Sequence, residues 1–211
     1  MERSVVFAIC SPKQALAQTI EKSPMANEKR SDLESYRLTD QDWTLANNLA
    51  RATLEVFQNR PGHYTNNLNS HLRGKCGEIA ATRILERIGV EVASHWTDVA
   101  SMSMSDMTLN ERIRVDVKTW SETYWEDMGR CIALSQLNAL KAKADAIVWC
   151  RTPQLLAEGI EVVVAGWSSM KDIDLAPVRF TGPEFGRKVE NYQLDENSLR
   201  KISTLKIMCN R

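Results

Sequence analysis

Asp116 and Lys118 stand two positions apart in Arg112-Ile113-Arg114-Val115-Asp116-Val117-Lys118. Ile113, Val115 and Val117 alternate there with Arg112, Arg114, Asp116 and Lys118, a period of two that predicts a strand with one apolar and one polar working face. The carboxylate and the ammonium therefore point the same way. A carboxylate can hold a divalent cation while a neighbouring ammonium orients, or helps to deprotonate, an attacking water, which is the equipment for metal-assisted cleavage of a phosphodiester. A chain of average composition and this length holds about one or two acid-x-Lys triplets by chance, so the residues around this one decide its weight.

Asp106 precedes Asp116 with nine residues between them, and a turn at Asn110-Glu111 folds Met104 to Leu109 back against Arg112 to Trp120. A hairpin of that form brings both carboxylates to one end of a sheet. One or two carboxylates completed by water and phosphate suit Mg²⁺ or Mn²⁺ better than Zn²⁺. Asp98, in Trp96-Thr97-Asp98, competes with Asp106 for the same metal role. A third acid, Glu78, shares a helical face with Ala81, Leu85 and Ile88, where a charge needs a metal or a basic partner; simple pairing with Lys75 or Thr82 is the alternative. Gly74 and Gly77 are poor helix formers, and their bare backbone would let a phosphate or another strand come close.

Further candidates surround these four. Arg73 and Lys75 are placed to meet phosphates near the start of the helix, or are solvated charges. Gln136 could align water or phosphate, or serve its own helix, and Trp120, Tyr124 and Trp125 form either a stacking face for an exposed base or a partly buried cluster at a strand end.

The elements that must position these groups are legible as patterns. Residues 11 to 38 are polar and broken, and read as a loosely attached arm. Trp43, Ala46, Leu49, Ala50, Leu54 and Phe57 recur at helical spacing behind Thr39 or Asp40 as a cap, before Pro61-Gly62. A second helix is predicted from about Asn69 to Ile88, with Leu72, Cys76, Ile79, Ala80 and Ile84 on its buried stripe and Gly89 at its end. After the hairpin follow a strand from Cys131 to Leu134, a helix capped by Ser135, the apolar strand Ala146 to Cys150 and a strand from Glu161 to Trp167. That order predicts an α/β domain over residues 62 to 211, one mixed central sheet flanked by helices, preceded by an N-terminal arm and accessory helix over 1 to 61.

The motifs resemble the PD-(D/E)XK nuclease superfamily, with its restriction-endonuclease-like fold. Gly74-Lys75-Cys76-Gly77-Glu78-Ile79-Ala80 is similar to its first-helix Gly-x-x-Gly-Glu signature, Ser105-Asp106 to its first acidic motif with Ser in place of Pro, and Val115-Asp116-Val117-Lys118-Thr119 to its second. The family's strand, helix, strand continuation resembles Arg130 to Gln136 followed by Ala144 to Trp149, although Gln136 to Leu140 only half matches the Gln-x-x-x-Tyr of one branch. The resemblance implies that Asp106 and Asp116 bind the metal, that Glu78 supports it, that the Val117 carbonyl completes the shell and that Lys118 positions the water. The expected function is a Mg²⁺-dependent DNA endonuclease; the alternative is a catalytically inactive module of this fold that binds nucleic acid or protein.

Composition sets the outer bounds. The chain has 211 residues, 43% hydrophobic and 26% charged, which excludes disordered and disulfide-scaffold classes. Its 27 basic and 27 acidic residues cancel, so net charge announces no partner, and DNA is favoured over RNA only by the resemblance. No apolar run is long enough to span a membrane, and a cytoplasmic protein is expected. The five scattered cysteines, without a Cys-x-x-Cys, are expected to be free thiols, mostly buried, and His63 and His71 to be surface residues. A homodimer is the simple arrangement for cutting two strands.

Overall fold

A computed structural model of the chain describes residues 33–57, 67–99, 104–182 and 189–209. In chain order the elements are β1 (Glu34–Arg37), α1 (Asp40–Phe57), α2 (Leu68–Arg87), β2 (Val92–Ser94), β3 (Met107–Leu109), β4 (Ile113–Ser121), α3 (Glu122–Trp125) and β5 (Cys131–Ala133). There follow α4 (Leu134–Lys143), β6 (Ala146–Thr152), β7 (Glu161–Ser169), α5 (Met170–Asp174), β8 (Val178–Thr181), β9 (Val189–Gln193), a 3₁₀ turn at Glu196–Ser198 and α6 (Ile202–Cys209). A six-stranded mixed sheet has the order β1-β7-β6-β4-β3-β2, in which only β4 and β6 run parallel.

Alternation along β4 and β6 builds a core on each face of this sheet. Val115, Val117, Val148 and Cys150 pack beneath α1, α2 and α6, with Ala46, Ile79, Ile84 and Leu205. Ile147 and Trp149 face the other way, onto Trp125, Ile132, Leu137, Leu140 and Ile173. The result is an α/β domain with helices on both faces. The α2 helix starts where the Asn67 side chain accepts the Ser70 N–H at 2.8 Å. It ends at Gly89, whose φ of 79° suits a residue without Cβ, with Lys206 donating to the Ile88 carbonyl at 2.8 Å.

Three expectations need correction. Residues 34–37, in the stretch read as a loose arm, form the edge strand β1, paired with Glu161–Val164. The strand at Cys131 does not join the central sheet. Arg130, at a φ of 57°, turns the chain away, donates to Trp125 O and Leu194 O, and leaves β5 paired with β9 in a separate three-stranded sheet, β5-β9-β8. The following helix begins at Leu134 with Ala133 at its cap position, so Ser135 lies inside the first turn and caps nothing.

Residues 1–32, Cys10 and His63 lie outside the described residues. Cys76, Cys131, Cys150 and Cys209 are free and buried. His71 is half-buried against Phe57, with ring centroids 5.9 Å apart, instead of on the open surface. Among the described residues no helix is long and apolar enough to cross a membrane.

Candidate active site at the fork of the central sheet

The hairpin turns at Asn110 and Glu111, both with left-handed φ, and Arg112 N–H closes it on Leu109 O at 2.9 Å. Pairing of β3 with β4 then lasts only from Leu109↔Ile113 to Met107↔Val115. Continuing that register would set Asp106 opposite Asp116, but β3 has already ended. Its expected extension back to Met104 fails because the Asp106 carbonyl turns to accept His95 N–H at 2.8 Å and Trp96 N–H at 3.0 Å. Beyond this fork, among the described residues, β4 pairs only with β6, as far as Ser121↔Thr152.

Among the described residues no strand covers this edge of β4, and a carboxylate takes the place. Val117 N–H donates to Asp106 Oδ2 at 2.7 Å. The N–H and C=O of one strand residue face the same edge, so the Val117 carbonyl opens onto the fork as well.

Asp116 lies on the opposite face of β4 from Val117, the polar face of the strand, under α4, and is fully buried. Its Oδ2 pairs with Lys118, and its Oδ1 with Lys143 at 2.5 Å. Both oxygens are engaged by ammonium groups, so the compensation is charge-assisted. Burial opposes the charge on Asp116, yet Lys118 and Lys143 outweigh it and hold the carboxyl below the usual carboxylate range. Lys143 was not anticipated from the sequence, where it reads as one of two lysines complementing the C-terminal end of the α4 dipole.

Glu78 reaches the same fork from α2. It pairs with Lys75 at 2.7 Å, and Lys75 also donates to the Trp96 carbonyl at 2.9 Å. Burial, the charges of Asp106 and Asp116, push the Glu78 carboxyl up to about 7 despite Lys75. Asp106 is raised by burial and by Asp116, against the pull of Lys118. Three carboxylates from α2, the start of β3 and β4 thus act on one another, balanced by Lys75, Lys118 and Lys143. Asp98, the rival of Asp106, is exposed in the turn after Trp96.

This donor set fits a hard cation better than a protein-only cage. Among the described residues no three His, Cys, Asp or Glu side chains form a ready metal cluster. Mg²⁺ keeps several waters and takes one or two carboxylates. Asp106, Asp116 and the Val117 carbonyl are the groups that could hold such a cation, and the mutual repulsion that raises Glu78 and Asp106 is what it would relieve.

The outer candidates separate. Arg73 is committed to the loop after β6, donating to Pro153 O at 2.8 Å and Gln154 O at 3.0 Å and pairing with Thr152 Oγ1. It and the buried Lys75 are thus held by internal partners, not presented to phosphate. Trp125 is buried, with Arg130 4.8 Å and Arg151 5.9 Å from its ring, and belongs to the core beneath the sheet, while Tyr124 is exposed. Trp120 and Gln136 come together in a cleft between β4, α4 and the small sheet. Comparison with protein-family models, curated proteins and solved structures finds no match.

Proposed function

We propose that this chain is a divalent-metal-dependent nuclease of the restriction-endonuclease-like fold that hydrolyses phosphodiester bonds, with DNA as the expected substrate. The observation that carries this reading is the mutual influence of Glu78, Asp106, Asp116 and Lys118 at the fork, where three separate elements set a buried carboxylate and two half-buried ones against one another. Structural carboxylates are seldom crowded in this way, because each charge raises the cost of the next.

Asp106 and Asp116 would hold the cation with the Val117 carbonyl, and Glu78 would support it directly or through water. Mg²⁺ or Mn²⁺ bound there supplies a polarised phosphoryl oxygen and a more acidic water. Lys118 Nζ, one-third exposed at the site, orients the attacking water and offsets charge developing on the phosphate. Lys143 Nζ, which meets the other oxygen of Asp116, fills part of the cation's electrostatic role and must yield when a metal engages that oxygen.

The test is incubation of the purified protein with linear duplex, supercoiled plasmid, single strand, four-way junction and RNA, in Mg²⁺, Mn²⁺ or EDTA, beside Lys118→Ala. Metal-dependent cutting that is lost in the variant supports the reading. Absence of both cutting and Mn²⁺ binding by calorimetry removes it in favour of a non-cleaving module.

A further inference from the structure

Two residues beyond Lys118, on the same face of β4, Trp120 forms one wall of a cleft of about 200 Å³. The other walls come from the first turn of α4, at Ser135 and Gln136, and from Cys131, Thr181 and Asn191 of the small sheet. This volume is below the roughly 300–1,000 Å³ that encloses a drug-sized ligand, so the cleft suits one flat ring system and excludes a duplex.

Its polar groups are fixed in place. Asn191 is 7% exposed, and its Nδ2 donates to Thr181 Oγ1 at 2.5 Å and to Val189 O at 2.7 Å. Both amide hydrogens are thereby used, and Oδ1 remains as a rigidly held acceptor in a residue that lines the cleft. Gln136 adds a second side-chain amide, and the α4 first turn, which has no side-chain cap, adds backbone donors. An indole face beside amide donors and acceptors is the chemistry that receives a nucleobase, by stacking on its plane and hydrogen bonding at its edge.

Geometry links the cleft to the fork. Two strand residues span about 7 Å, so a phosphate held at Lys118 leaves the base of an adjoining nucleotide within reach of Trp120. Resting on the nuclease reading above, we propose that this cleft takes a single unpaired nucleobase of the strand held at the fork, which makes the substrate a strand unpaired beside the scissile bond. Trp120 provides the stacking face, and Gln136 and Asn191 meet the base edge.

The test is a fluorescence titration of the full chain in EDTA with a short single-stranded oligodeoxynucleotide, its abasic counterpart, a free nucleoside monophosphate and the matching duplex. Stacking on an aromatic side chain predicts that the base-bearing strand binds about 5- to 150-fold more tightly than the abasic one. Trp120→Ala brings the two together, Trp120→Phe keeps most of the difference, and Gln136→Leu reduces it without touching the core. Equal binding of base-bearing and abasic strands overturns the proposal, as does a preference that survives Trp120→Ala, or a free nucleotide or duplex binding as tightly as the strand. Metal-dependent cutting with base-indifferent binding removes the cleft assignment alone. Base-selective binding with neither cutting in any metal nor Mn²⁺ binding by calorimetry keeps the cleft and removes the nuclease.

Discussion

Asp42 and Asp116 are both withdrawn from water, and their surroundings are opposite in kind. Asp42 takes a hydrogen bond from Tyr36 Oη at 2.7 Å and from Thr39 Oγ1 at 2.8 Å, another from Thr39 N–H at 3.2 Å, and an ion pair from Arg83 at 3.3 Å. Asp42 N–H returns a bond to Thr39 Oγ1 at 3.2 Å, so the carboxylate closes a capping box while tying β1, α1 and α2 together. Burial works against its charge, but the bonds from Tyr36 and Thr39 prevail and keep its carboxyl low. Asp116 has ammonium groups and further carboxylates for neighbours, and its oxygens are met by Lys118 and Lys143 instead of by hydroxyl or backbone donors. A buried acid fixed by hydroxyl and backbone donors holds the fold together; one balanced by partly exposed lysines is the better candidate for binding another cation.

The largest effect separates the two by activity. Asp116→Asn should lower metal-dependent cutting by about 10³-fold or more, while folded Asp42→Asn cuts at the parental rate. Parental activity in the Asp116 variant would undo the assignment. Stability should separate them the other way. Asp42→Ala is expected to cost about 3–5 kcal/mol, a fall of roughly 10 °C in Tm by calorimetry, because Arg83 and three donors lose their acceptor. Asp116→Asn should stay within about 1 kcal/mol of the parent, since Lys118 and Lys143 can turn to solvent or to the remaining acids.

Metal sharpens the contrast. Mn²⁺ at about 100 times its Kd should add about 2.7 kcal/mol, equally in the parent and in Asp42→Asn and not at all in the Asp106→Ala, Asp116→Ala double variant. Glu78 gives the contrast a pH dependence. The folded protein holds a proton on Glu78 up to about 7, whereas its ordinary value is 4.5, so this group's contribution to stability is full below 4.5 and is lost as pH rises through 7. In EDTA above pH 7, Glu78→Gln should therefore be more stable than the parent by about 1–3 kcal/mol, and near pH 4.5 the two should coincide. A Gln variant that unfolds earlier at high pH would show that Lys75 needs the charge more than the crowded carboxylates repel it. The smallest effect is Tyr36→Phe, which should lower stability by about 1 kcal/mol without altering cutting.

Much of this arrangement was legible in the sequence because it is local. The α2 stripe and the alternation of Ile113, Val115 and Val117 followed from period alone, and the short turn that returns Asp106 to the side of β4 was legible too, although the ladder stops one residue short of it. What escaped depends on distant partners. The edge strand Glu34–Arg37 has no apolar pattern and exists through pairing with Glu161–Val164, more than a hundred residues away. The small sheet forms because Arg130 turns the chain toward Leu194, which no local propensity signals. Arg73 and Lys75 carry the charge of phosphate ligands but are occupied by carbonyls of loops that only the folded chain brings near. Lys143 was hidden for the converse reason, since its place at a helix end already had a sufficient local explanation.

Gly77 immediately precedes Glu78, and a Cβ at that position would stand 1.8 Å from Thr119 Oγ1 and 2.9 Å from its Cβ. The helix is therefore seated on β4 at a depth set by one hydrogen atom. The depth fixes how far the next side chain extends toward the fork. Positions 77 and 119 should consequently drift together over evolutionary time: a methyl gained on the helix is tolerable only where the strand gives up its branched hydroxyl. In a lineage that makes the first change alone, the carboxylate would retreat from the fork while every residue named in the motif stayed intact.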